Sequence, residues 1–102
     1  MHEVVEARRP EIGALCRRLG VRRLEVFGSA AGTTFNTESS DVDVLVEFQI
    51  SSRLDRFDVY FALKEGLEQI LECPVDVVTI TAIRNPYFLE EVMRTRATLY
   101  AV

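Results

Sequence analysis

The chain has 102 residues, of which 48% are hydrophobic and 27% charged. This length predicts one domain, residues 1–102, because it is too short for two. The longest apolar run, residues 59–63, falls far short of the roughly 20 residues that span a membrane, and no apolar segment follows the charged start, so we expect a cytoplasmic protein without a secretory signal. The net charge of −4 argues against direct nucleic-acid binding, which needs a basic surface.

The first predicted elements are a helix and a strand. Pro10 suits a first helical turn and Gly20 suits a helix end, so a helix is predicted from near Arg9 to Gly20. One face of this helix would carry apolar residues at helical spacing, namely Ile12, Leu15, Cys16 and Leu19. Residues 22–27 alternate in polarity and predict a strand that ends at Gly28.

The middle of the chain predicts a loop, a strand and a helix. Small and polar residues from Gly28 to Ser40 indicate a brief helical turn followed by a loop. Residues 41–48 alternate as a strand does, and its core face would carry Val42, Val44, Val46 and Phe48. A loop over residues 49–54 precedes a predicted helix over residues 55–72, despite Gly66, which costs about 1 kcal/mol relative to alanine.

The last third predicts a strand, a helix and a docked tail. Pro74 ends the preceding helix, and the β-branched residues 75–80 favour a strand. Asn85 and Pro86 are typical of a helix cap and a first helical residue, and the apolar residues 98–102 are expected to dock. The element order predicts an α/β (α+β) fold with a small mixed sheet of three or more strands flanked by helices.

Two acidic residues at the start of the second predicted strand are the first candidates for chemistry. Asp41 and Asp43 are two residues apart, so their side chains project to the same side, about 6.5–7 Å apart along the backbone. Like charges this close repel each other unless a cation lies between them. Ligands that are all oxygen favour Mg²⁺ or Mn²⁺ over Zn²⁺. An isolated pair of this kind is also compatible with two solvated residues at an exposed strand end.

A third acidic residue and a glycine turn extend this candidate site. Asp76 interrupts a β-branched strand in which acids are disfavoured. If the second and third strands are neighbours, Asp76 reaches the same point as the first two acids, and three carboxylates are what two metal ions need to share a phosphoryl oxygen. Gly28 and Ser29 stand where a strand gives way to a turn, an arrangement that suits phosphate but is also common in ordinary turns.

The placement of charge and the scarcity of histidine narrow the possible chemistry. No basic residue lies between Arg23 and Arg53, whereas this stretch holds the acids Glu25, Glu38, Asp41, Asp43 and Glu47. A polyphosphate therefore needs a divalent metal ion to approach. His2 is the only histidine, and Cys16 and Cys73 are far apart, which excludes histidine-dependent hydrolysis and a zinc motif.

The same motifs, taken together, resemble a known family. Residues 26–31, 41–48 and 75–78, in this order, are similar to the minimal nucleotidyltransferases of the DNA polymerase β-like superfamily, and the resemblance extends to residues 85–87 and 99–101. It implies that Asp41 and Asp43 bind metal and a nucleoside triphosphate, and that Gly28 and Ser29 contact phosphate. It also implies that Asp76 binds a second metal ion and serves as a base, with Mg²⁺, or alternatively Mn²⁺, as the cofactor and ATP as the substrate.

The resemblance also implies a partner protein. Many members of that family are antitoxins of a HEPN-domain ribonuclease, and several transfer AMP from ATP to a tyrosine of the toxin. We therefore expect a Mg²⁺-dependent antitoxin that AMPylates a hydroxyl of its HEPN toxin and forms a homo- or hetero-oligomer. Six aromatic residues are candidates for an interaction surface, although most of them are expected to pack in the core: Phe57, Tyr60, Phe61, Tyr87, Phe88 and Tyr100.

Two alternatives to protein AMPylation stay open. Family members commonly carry an arginine after the Gly-Ser pair, whereas residues 30–33 hold none. A non-catalytic antitoxin of the same fold that acts by binding alone is therefore the first alternative. The second is a nucleotidyltransferase that acts on a small-molecule hydroxyl, although relatives of that kind usually carry a second domain for the acceptor.

Overall fold

A computed structural model of the protein describes residues 3–28, 41–49, 56–79 and 82–102. In chain order its elements are α1 (Glu3–Ala7), α2 (Arg9–Leu19), β1 (Val21–Phe27), β2 (Val42–Phe48), α3 (Arg56–Leu71), β3 (Val75–Thr79), α4 (Pro86–Thr95) and β4 (Ala97–Ala101). The strands form one sheet in the order β3-β2-β1-β4, in which β1 is antiparallel to β2 and β4 and β2 is parallel to β3. The predicted α+β fold with a mixed sheet is confirmed. In these ranges no helix is both long enough and apolar enough to cross a membrane.

The local signals at helix ends act as predicted. Gly20 ends α2 in a left-handed conformation with φ 71°, and its N–H donates to the Cys16 carbonyl. At the start of α4 the Asn85 side chain accepts a hydrogen bond of 2.9 Å from the Tyr87 N–H. The turn and loop predicted for residues 29–40 and most of the loop predicted for residues 49–54 lie outside the described residues.

The tail forms strand β4, which goes beyond the predicted docking. In β4, Tyr100 pairs with Leu24 of β1, so the ladder joins residues from opposite ends of the chain. A five-residue strand is short, and its own residues do not identify the distant strand with which it pairs.

The sheet carries helices on both faces. The side of β2 with Val42, Val44 and Val46 packs, as predicted, into the larger core together with residues of α2 and α3. The opposite side of the sheet carries a smaller cluster of Phe27, Leu45 and Val92, so α4 covers this second face. Because side chains alternate along a strand, Asp43 shares the second face with Leu45.

Gly66 is required by the close packing of α2 on α3. A Cβ atom at position 66 would lie 2.7 and 2.9 Å from the two methyl groups of Leu15, closer than carbon atoms approach in packed cores. The loss in helix propensity at Gly66 therefore accompanies a closer contact between the two helices.

Side chains of α3 cover the outer edge of β3. Tyr60 Oη donates to the Val77 carbonyl at 2.9 Å, Lys64 Nζ donates to the Val75 carbonyl at 2.6 Å, and the Val75 N–H donates to Glu68 Oε2 at 3.1 Å. The three side chains are four residues apart and lie along one face of the helix. They occupy backbone groups that an edge strand otherwise offers to another strand.

The expectation that most of the aromatic residues named above lie in the core is wrong. Four of the six have large exposed fractions: Phe57 71%, Phe61 42%, Tyr87 81% and Phe88 41%. Tyr60 and Tyr100 are partly buried against the larger core. The apolar residues of α3 extend around much of the helix, so its periodicity does not identify the side that faces the sheet.

Candidate active site

The parallel pairing of β2 with β3 brings two of the predicted acids together. Asp43 and Asp76 occupy paired positions. Side chains at paired positions project to the same face of neighbouring strands about 4.8 Å apart. Asp41 lies one residue before β2 and is exposed. β3 is thus the neighbour of β2, as the sequence argument required, and Asp76 lies beside Asp43.

Burial and neighbouring negative charge both act on Asp43. Its side chain is half-buried, whereas Asp76 is exposed. Burial raises the pKa of the Asp43 carboxyl above its ordinary value, and the charges of Asp76 and Asp41 raise it further. A carboxylate in this position is costly without a compensating cation.

The acidic side chains of the candidate site suit an Mg²⁺ ion that takes only some of its ligands from the protein, rather than an ion enclosed by protein ligands alone. In the described ranges no three His, Cys, Asp or Glu side chains are grouped closely enough to hold a metal ion by themselves. Mg²⁺ usually binds one or two carboxylates and takes its other ligands from water and substrate phosphates. Asp43 and Asp76 match that requirement, because they present two paired carboxylates whose donor atoms are all oxygen. The raised pKa of Asp43 also indicates that a cation there would be stabilising.

Gly28 brings the backbone next to the Asp43 carboxylate. Its φ is 69°, a left-handed conformation that glycine adopts without steric cost. A Cβ atom at this position would lie 3.0 Å from Asp43 Oδ2. Glycine therefore keeps the acidic side chain accessible at the end of β1. Ser29, predicted to contact phosphate, lies outside the described residues.

The acidic patch seen in the sequence is partly neutralised in the fold. The buried Glu25, 4% exposed, pairs with Arg96 at 3.3 Å and with Arg23 at 3.4 Å. Glu47 pairs with Arg22 at 3.8 Å. Glu38 lies outside the described residues, and within them no ion pair involves Asp41, Asp43 or Asp76. The uncompensated negative charge of the described patch is therefore concentrated at these three residues.

Two residues at the end of α4 contact β1 and the glycine that follows it, beside the candidate site, and sequence reasoning missed both. Thr95 accepts a hydrogen bond of 3.2 Å from the Gly28 N–H, and Arg96 holds Glu25. No local motif marks them, because their partners are 67 and 71 residues away in the chain.

Comparison with known sequences shows relatives that are named protein adenylyltransferases. The chain is 37% identical over 87 residues to a Methanocaldococcus jannaschii protein named "putative protein adenylyltransferase", with 85% of each chain covered. It is 38% identical over 71 residues to the protein adenylyltransferase MntA of Thermococcus cleftensis, with 70% of this chain and 68% of that protein covered.

Comparison with solved structures shows the same fold. A structure described as a "putative minimal nucleotidyltransferase" is 35% identical, with a TM-score of 0.75 and coverage of 93% of this chain and 92% of that one. A tri-AMPylated Shewanella oneidensis HEPN toxin in complex with MNT antitoxin gives a TM-score of 0.64 at 19% identity, with 96% and 73% covered. The second similarity concerns the fold alone.

The family comparison covers most of the fold and all three candidate acids. The sequence model described as "nucleotidyltransferase domain" matches residues 12–98. These residues run from α2 into β4 and include the paired acids of β2 and β3. The chain belongs to the nucleotidyltransferase domain family, in agreement with the resemblance noted in its sequence.

Proposed function

We propose that this protein transfers AMP from ATP to a hydroxyl, in the first place a tyrosine hydroxyl, of a cognate HEPN-domain toxin, and so acts as its antitoxin. The observation that carries the proposal is the pairing of Asp43 with Asp76 beside Gly28, in a member of the nucleotidyltransferase family. The similarity to a protein adenylyltransferase named MntA supports AMP as the transferred group. The fold shared with the antitoxin of a tri-AMPylated HEPN toxin supports the class of partner.

The proposed roles combine the family resemblance with the positions of the described side chains. Asp41 and Asp43 would hold the metal ion that accompanies the triphosphate, and Asp76 would hold a second ion and accept the proton of the acceptor hydroxyl. Mg²⁺, with Mn²⁺ as the alternative, would neutralise the negative charge of the triphosphate during the transfer. Gly28 and Ser29 would orient the phosphates through the backbone and a hydroxyl.

The acceptor is proposed to come from a partner because Asp76 faces solvent. β3 is the outer strand next to β2, and Asp76 is exposed on it. A hydroxyl on a folded protein surface can therefore approach the paired carboxylates from outside. Residues 1–102 would then form one nucleotidyltransferase domain whose site is completed by the toxin.

Intact-mass spectrometry tests this function directly. The full chain is incubated with a HEPN protein encoded in the same genome, ATP and MgCl₂, and the mass of the HEPN protein is followed. We expect an increase by one or more AMP units that disappears with EDTA and with Asp43→Asn. Glu47→Gln is the matched control, because Glu47 lies on the same strand but pairs with Arg22, and it should keep the activity.

The other outcomes separate the alternatives. A stable complex in which the ribonuclease activity of the HEPN protein is inhibited without any mass increase would contradict the catalytic proposal. It would support an antitoxin that acts by binding alone. Transfer that persists in Asp43→Asn would contradict the assignment of this carboxylate. If neither labelling nor a complex forms, the antitoxin assignment fails.

A further inference from the structure

The amide of Gly28 is held by a residue outside the paired strands of the candidate site. Its N–H donates to Thr95 Oγ1 at 3.2 Å, and Thr95 is the last residue of α4. The Thr95 hydroxyl in turn donates to the Glu91 carbonyl at 2.9 Å. Because that bond uses the only hydroxyl proton, the oxygen presents a lone pair to Gly28.

Contacts on both sides of this hydrogen bond fix α4 against β1. Phe88 in the first half of the helix packs edge-to-face on Phe27, with ring centroids 5.9 Å apart. Arg96, which follows Thr95, holds the buried Glu25 at 3.3 Å. Thr95 therefore lies between two anchored points, and side chains on such rigid supports hold a neighbouring group in a defined geometry.

We propose that Thr95 is a positioning residue for nucleotidyl transfer: it fixes the backbone of Gly28 and thereby the position of that backbone relative to the Asp43 carboxylate. The inference rests on the proposed function, because that function assigns the Gly28 backbone to the reacting nucleotide. Gly28 links the two residues: its N–H donates to Thr95, and a Cβ atom at its position would lie 3.0 Å from Asp43 Oδ2.

Two substitutions at position 95 separate the hydroxyl from the rest of the side chain. Thr95→Val keeps the branched shape and leaves the Gly28 N–H without its acceptor, whereas Thr95→Ser keeps the hydroxyl. We expect the rate of AMP transfer at saturating ATP to fall about tenfold in Thr95→Val and to recover in Thr95→Ser, with the complex with the HEPN protein unchanged. Thr98→Val, the same chemical change on β4, is the matched control and should transfer AMP like the wild type.

A second measurement keeps the inference independent of the proposed activity. Amide hydrogen exchange of Gly28, followed by NMR in the full chain, should accelerate about tenfold in Thr95→Val and remain at the wild-type rate in Thr95→Ser. Wild-type transfer rates in folded Thr95→Val, or a Thr95→Ser variant as slow as Thr95→Val, would overturn the positioning role. If the wild type itself transfers no AMP, the proposed function fails, and the exchange rate of Gly28 alone then supports or refutes the hydrogen bond of Thr95 to the Gly28 N–H.

Discussion

Replacing Gly28 by alanine should separate the stability of the fold from the geometry of the site. A left-handed conformation, here φ 69°, costs a residue with a Cβ atom about 1–2 kcal/mol. The new Cβ would lie 3.0 Å from Asp43 Oδ2, so the carboxylate must shift by a few tenths of an ångström. A domain of this size usually has at least about 5 kcal/mol of stability, so the variant should remain folded. Because Asp43 is proposed to hold the metal ion of the reacting triphosphate, a small displacement of its carboxylate should slow AMP transfer by about tenfold or more.

Gly20→Ala is the matched control for this prediction. Gly20 has nearly the same backbone conformation, φ 71°, at the end of α2, so the substitution carries the same backbone cost. Urea unfolding followed by circular dichroism should show similar losses of stability in the two variants, and intact-mass spectrometry of the HEPN protein gives their transfer rates. If Gly28→Ala transfers AMP as fast as Gly20→Ala at the same folded fraction, the backbone at position 28 is not part of the reaction geometry.

Three further predictions concern the stability of the folded chain. Gly66→Ala should destabilise the protein by up to about 2 kcal/mol, because overpacking against Leu15 exceeds the gain in helix propensity. Gly13→Ala, whose Cβ would meet its nearest atom at 3.7 Å, should instead stabilise it, and equal urea midpoints would contradict this. Burial raises the pKa of the Cys16 thiol from 9.0 to about 12, so the folded chain keeps a proton that the unfolded chain releases. The free energy of unfolding should therefore fall as the pH rises above 9.0, and an equally steep fall in Cys16→Ala would argue against this cause. Tyr60→Phe removes a hydrogen bond to a β3 carbonyl and should cost about 1 kcal/mol; unchanged unfolding would show that the carbonyl finds another donor.

The electrostatics of the candidate site favour the binding of a divalent cation there. Burial and two neighbouring acids raise the pKa of the Asp43 carboxyl, so the charged form is disfavoured in the protein alone. Glu25 and Glu47 do not add to this repulsion, because arginines pair with them. A divalent cation should therefore be attracted to the three aspartates specifically rather than to the whole acidic stretch of the sequence.

The sequence by itself determined the features that depend on neighbouring residues. The strand over residues 42–48, the cap at Asn85 and the helix end at Gly20 follow from alternation, from a side chain that accepts backbone N–H groups, and from left-handed φ. Each of these signals acts over a few residues, so it is visible in the order of residue types. The order of Gly28, Asp41, Asp43 and Asp76 likewise indicated the family before the fold was known.

Only the tertiary structure decided which distant residues meet. From the sequence, the proximity of Asp43 and Asp76 could be predicted only on the assumption that their strands are neighbours. The sequence contained no sign of the Thr95 contact with Gly28 or of the Arg96 contact with Glu25. The glycine at position 66 looked unfavourable until α2 was seen to pack against it. Such contacts depend on how helices and strands pack around a shared core, and this packing is set by the whole chain together, so no short pattern of residues encodes it.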